Sequence, residues 1–246
     1  MENRWWEYYV VRYFVGSVLG AVIILFLKAQ PNLPLQSSLA ALGDFKDSTF
    51  LGVSLIASLG FAFCYVASAP ILTLHATRAH LRLSVLKIRW LSYAAALLIP
   101  TAIVTVAAWR AFSWPVAIAV GLILGTQIGL VIAAVFTNFS DIESYYRSLA
   151  TGRSNASTKK DEPASPGMEY VTSYRHVREH GNAFGILLLE LVLAGALHDL
   201  CNSSSIAWLL IAWLFPAPFA WVVGTVLESR FVSSPLPVSS ASASAP

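Results

Sequence analysis

The sequence predicts an all-α fold: a polytopic helical membrane protein with about six transmembrane helices and both termini on the cytoplasmic side. Three observations lead there. Of the 246 residues, 57% are hydrophobic and only 12% are charged, about half the charged share of a soluble domain. The apolar residues come in long blocks without amphipathic spacing, which suits a bilayer better than water. The third observation is charge placement. If the N-terminus is cytoplasmic, all of the 16 Lys and Arg residues except Lys28, Lys46 and Arg110 fall on the cytoplasmic face, as the positive-inside rule requires.

The first span lies near 10–27. Trp5, Trp6, Tyr8, Tyr9 and Tyr13 precede or open it as an aromatic belt at headgroup level. Glu2, Glu7 and Lys28 are wrong for a cleaved signal peptide, so the segment is expected to stay in place. The second span lies near 50–72, with Pro70 close to its end, and the third is "WLSYAAALLIPTAIVTVAAW", 90–109. The fourth is "PVAIAVGLILGTQIGLVIAAVF", 115–136. A fifth core, 183–197, has 15 residues, short of the roughly 17 that a crossing usually needs. It must borrow polar flanks or sit as a shallow or re-entrant helix. The sixth, 206–227, carries Pro216 and Pro218.

These spans divide the chain into a four-span region (1–136), a cytoplasmic loop (137–182), a two-span hairpin (183–227) and a disordered tail (228–246). The loop includes the small-residue linker "TGRSNASTKKDEPASPG". The segment "TRAHLRLSVLKIRW", 77–90, sets four basic residues among leucines, as expected of a helix lying on anionic headgroups.

Composition also excludes some functions. A net charge of +3 is too slight for the basic stripe that nucleic-acid binding needs. Cys64 and Cys201 are far apart and form no disulfide framework or Cys-x-x-Cys site. No cofactor is expected and no metal site is assigned.

Two enzyme patterns overlap at 175–180. Arg175 and His180 complete R-x-x-x-x-H with His176 directly after the arginine. This resembles the motif of HEPN-type ribonucleases, and implies Arg and His acting together on an RNA backbone. "HVREH" also matches H-x-x-E-H, the pattern of inverted zinc peptidases. That resemblance implies zinc held by His176 and His180, with Glu179 polarising its water and a third ligand still to be found. The plain alternative is a juxtamembrane helix whose basic residues face lipid phosphates.

Glu190 stands alone as a carboxylate inside the fifth apolar core. An acid at that depth costs roughly 2.5–3.5 kcal/mol on insertion scales and needs a partner, water or a proton. It could relay a proton or cation, with His198 and Asp199 at the far end, or hydrogen-bond a neighbouring helix as a neutral acid. Gly121, Gly125 and Gly129, with Gly16 and Gly20 as a shorter version, make flat faces for close helix approach. Such faces serve packing within one subunit or assembly between copies, and Gln127 could hydrogen-bond across the interface.

The leading functional expectation is a non-enzymatic multi-pass protein of a bacterial inner membrane. It would pack or oligomerise through the glycine faces and work with a cytoplasmic partner. Its size and organisation look similar to the small multi-span effectors of bacterial anti-phage defence systems. Expected partners are the lipid bilayer, further copies of the chain, and a membrane or cytoplasmic protein, with no direct nucleic-acid binding. Two alternatives remain: a small proton- or cation-coupled transporter using Glu190, and a membrane-tethered nuclease or zinc hydrolase using Arg175, His176, Glu179 and His180.

Overall fold

A computed structural model of the chain describes residues 9–30, 50–74, 77, 90–135, 140, 144, 166–200 and 202–233. Among them all regular structure is helical: α1 (Tyr9–Ala29), α2 (Phe50–Ala67), α3 (Trp90–Ala108), α4 (Trp114–Val135), α5 (Pro166–Asp199), α6 (Ser203–Leu214) and α7 (Pro216–Ser233). Three segments are long and apolar enough to cross a membrane: Gly52–Leu74, Trp114–Val135 and Asn182–Asp199. Tyr13–Ala29, Ala94–Ala108 and Ser203–Phe219 are shorter apolar helices. These are the features of a helical membrane protein. The large side chains on its outer surface fit that solvent, with Phe14, Phe26, Leu98, Ile103, Trp109 and Trp208 all exposed.

Neighbouring helices alternate in direction. Tyr13 stacks on Tyr65, and Gly20 backs onto Gly60, so α1 and α2 are antiparallel. Gly121 meets Thr105 and Gly125 meets Thr101, which makes α3 and α4 an antiparallel hairpin. α5 runs parallel to α1, with Ile186 and Glu190 beside Gly16 and His198 stacked on Phe26. It runs antiparallel to α2, since Gly185 lies by Ile71 and Glu190 by Cys64. Thus α5 packs against both hairpins, and its Leu189, Leu193, Ala196 and Leu197 belong to the central core.

Two prolines have visible consequences for the backbone. Pro70 has no N–H, and Ile71 turns to the Ser68 carbonyl (2.9 Å) across a one-residue break at Ser68. The Ala67 carbonyl is left facing inward, and the indole N–H of fully buried Trp213 donates to it at 3.2 Å. Trp213→Phe keeps an aromatic ring, but it strands that carbonyl and leaves a void where the rest of the indole packed. It should cost about 1–3 kcal/mol, read as a lower unfolding midpoint in detergent. Pro100 similarly cannot donate to Ala96, four residues back in α3. Gly129 of α4 lies against the Ala96 oxygen, where an added methyl carbon would stand 2.5 Å away. The glycine permits a Cα–H contact with the carbonyl that the proline leaves over.

The last two segments depart from the sequence reading. The segment expected at 206–227 carries a one-residue interruption at Phe215, between α6 and α7, although Phe215 itself keeps helical dihedrals. Pro216 and Pro218 withhold the N–H groups that would have bonded Ala212 and Leu214, so the helix cannot run straight through. The fifth segment, expected to be marginal, is the C-terminal half of a 34-residue helix. It starts at Pro166, within the expected loop, and proline suits the first helical position. α7 likewise continues to Ser233, past the expected start of the tail at 228. The 151–165 part of the linker, most of the 77–90 segment and Cys201 lie outside the described residues.

Candidate functional site

Glu190 lies eight residues after Asn182 and nine before Asp199 in the candidate span, about 12–13 Å from either end at helical rise. It is fully buried, with 0% exposure. Three helices make its niche. Gly16 of α1 supplies the floor: a methyl added there would collide with Cys64 Sγ of α2 and stand 3.1 Å from Glu190 Oε1 and 3.2 Å from Ile186 Cγ2 of α5. The space that a side chain at 16 would occupy is filled by the thiol and the carboxyl. Cys64 is also fully buried, because the close α1–α2 approach at Gly20 and Gly60 seals that side.

Among the described residues, neither carboxyl oxygen has a partner at hydrogen-bonding geometry. The Cys64 thiol is set against the group, but as a contact and not as a formed bond. A buried charge left in this state costs several kcal/mol, so the neutral acid is the form this packing accommodates. An unsatisfied acid at mid-depth is the usual mark of a functional position in a membrane bundle.

A second polar position lies nearer the end of the bundle where α4 terminates. The side-chain oxygen of buried Gln127 accepts from the Thr73 hydroxyl at 3.3 Å, while its Nε2 has no partner among the described residues. Thr77 in turn donates to the Thr73 carbonyl at 2.7 Å. Gln127 of α4 therefore bonds to the helical turn that follows α2 within the same chain.

His198 and Asp199 do not extend the Glu190 niche. They sit at the far end of α5, where Asp199 Oδ2 accepts from Ser113 N (2.8 Å) and Ser113 Oγ (2.6 Å). His198 Nδ1 lies 3.4 Å from the other Asp199 oxygen. This carboxylate caps the start of α4, where free N–H groups and the helix dipole favour negative charge. Asp199→Ala should cost about 1–2 kcal/mol, detectable as faster protease cleavage of the 109–114 turn.

Arg175, His176, Glu179 and His180 all fall on the backbone of α5, but their side chains lie outside the described residues. His180 precedes Glu190 by ten residues, about 15 Å along the same helix. Among the described residues, no three His, Cys, Asp or Glu side chains converge in a metal-holding group.

The glycines are all placed at helix contacts within the chain. Gly121 and Gly125 back onto Thr105 and Thr101, and Gly129 onto Ala96 and Leu97. Gly16 and Gly20 face α2 and α5. An outward groove of about 730 Å³ between α1 and α2, lined by residues such as Phe14, Val18, Val22, Val53 and Phe61, is apolar and lies on the lipid-facing side. Sequence reading missed Cys64 as a site residue. Nothing in its one-letter context places it opposite Glu190, 126 positions away.

No protein-family model, curated protein or solved structure matches the chain.

Proposed function

We propose that the chain is a small proton- or cation-linked multi-pass membrane transporter whose working group is Glu190. One observation supports this reading above the others: both oxygens of a fully buried acid at mid-span lack a hydrogen-bond partner among the described residues. A purely structural acid would be expected to bond a neighbouring helix. The glycine faces, which the sequence offers equally for assembly, are taken up by the chain's own helices.

The expected arrangement is a bacterial inner membrane with both termini cytoplasmic. The alternation of α1 to α5 sets the start of α1, the ends of α2 and α4, and the starts of α3 and α5 at one end of the bundle. The loops joining them there carry eight of the 16 basic residues, against Lys46 and Arg110 in the loops at the other end, which supports that end as cytoplasmic.

Purified protein in liposomes under an imposed pH or cation gradient tests the reading. Wild type should dissipate the gradient, Glu190→Gln should reduce flux to the level of empty vesicles, and Glu190→Asp should retain part of it. Equal flux through wild type and Glu190→Gln would count against Glu190 as the working group.

The length of α5 favours a second reading, that of a non-enzymatic component driven by a cytoplasmic partner, as in an anti-phage effector. The half of α5 before Asn182 continues the span as unbroken helix for about 24 Å. A protein gripping that arm could shift Glu190 without touching it. Breaking that arm with Ser173→Pro should then leave flux in liposomes unchanged while removing activity in cells.

A further inference from the structure

We propose that Cys64 is the positioning residue for the proton on Glu190: thiol and carboxyl form one unit in the niche over Gly16, and the S–H turns onto the carboxylate when the proton leaves. The inference rests on the reading of Glu190 as the working group.

The placement leaves few other donors. α1 contributes Gly16, which has no side chain, and the neighbouring Ile186 on α5 is apolar. Among the described residues, Cys64 is the titratable group set against Glu190, and no charged group joins it. A thiol both donates and accepts, weakly in each role, so it can face the acid in one state and the carboxylate in the other. It remains a thiol throughout; only the Glu190 proton moves.

A hydroxyl at this position would behave differently. Elsewhere in the bundle, Ser17, Ser58, Thr101 and Thr105 each donate to the carbonyl four residues back in their own helix. Serine at 64 would have the Gly60 carbonyl available in the same way. A thiol binds backbone carbonyls less strongly and stays free to face across the interface.

The test uses the full-length protein in lipid. Infrared difference spectra identify the protonated Glu190 carbonyl by its loss in Glu190→Gln, and its intensity is then followed against pH. Removing the donor in Cys64→Ala should raise the titration midpoint by at least one pH unit, about a tenfold tighter hold on the proton. An unmoved midpoint overturns the proposal. A shifted midpoint in Cys64→Ala, with no gradient dissipation by the wild-type protein in liposomes, would instead count against the transport reading alone.

Because Cys64→Ala could misfold, a second measurement uses the unaltered chain. A membrane-soluble carbodiimide adds the carboxyl O–H across its C=N bond to give an O-acylisourea. Attack by the Cys64 sulfur on the acyl carbon then forms a thioester, and the dialkylurea leaves with the carboxyl oxygen and both protons. The protein should lose the mass of one water and regain a free thiol with hydroxylamine. Carbodiimide adduct without the staple, or no reaction at acid pH, overturns the proposal.

Discussion

Gly125→Leu should prevent the chain from reaching its native fold, and should not merely disperse an assembly of folded subunits. The site where its Cβ would stand is occupied by the Thr101 backbone of α3, which cannot rotate aside as a flexible side chain can. Making room would force the α3–α4 hairpin apart along Gly121 and Gly129 and uncover the Ala96 carbonyl released by Pro100. Overpacking of this kind costs about 3 kcal/mol or more when backbone must move. In mild detergent the variant should appear as aggregate or protease-sensitive material. A matched control is Gly185→Ala, where the nearest atom to an added methyl is Ile71 Cδ1 at 3.7 Å, and wild-type behaviour is expected. A folded, wild-type-stable Gly125→Leu protein would show the hairpin contact to be wrong.

The contrast between those glycines marks how far the sequence could be read. The small-xxx-small spacing at 121, 125 and 129 shows that a helix comes close. It carries no sign of whether that helix belongs to the same chain, because lipid-facing and subunit-facing glycines look alike in one dimension. The mid-span position of Glu190 was legible for a related reason: a lone acid in an apolar run has a high and local energetic cost. Its partners were not legible, since Gly16 and Cys64 are unremarkable alone and meet Glu190 only through the crossing of α1, α2 and α5.

The errors at the C-terminal end come from weighing hydropathy above hydrogen bonding. Residues 206–227 are apolar enough to look continuous, yet Pro216 and Pro218 remove two donors within three positions, and the helix divides there. The core 183–197 is too short alone and takes in its polar flanks, one of the two courses its length allows. Asn182 and Asp199 nevertheless belong to the helix, and Asp199 is held at the boundary by the N–H and hydroxyl of Ser113. The polar residues at that end do structural work, capping α4 and orienting α5, so the relay suggested for His198 and Asp199 has no continuous route to Glu190 along the described side chains.

Replacing Glu190 with methionine separates a working acid from a structural one, because stability and activity should move in opposite directions. Methionine is unbranched, similar in length and adaptable to irregular space, so it can follow the path of the glutamate over Gly16. It removes two buried oxygens that have no hydrogen-bond partner among the described residues and takes a contact from Cys64. The bundle should therefore gain about 2–3 kcal/mol, the order of cost assigned to a mid-span acid. This gain should appear as a higher midpoint of denaturation in mixed detergent micelles. Flux in liposomes, or activity in cells, should be lost completely. Such a trade-off is expected where a protein retains an unfavourable group for its function. If Glu190→Met instead lowers stability while activity falls only in proportion to the folded fraction, Glu190 is a structural hydrogen-bonding group, and the functional centre lies elsewhere in the chain.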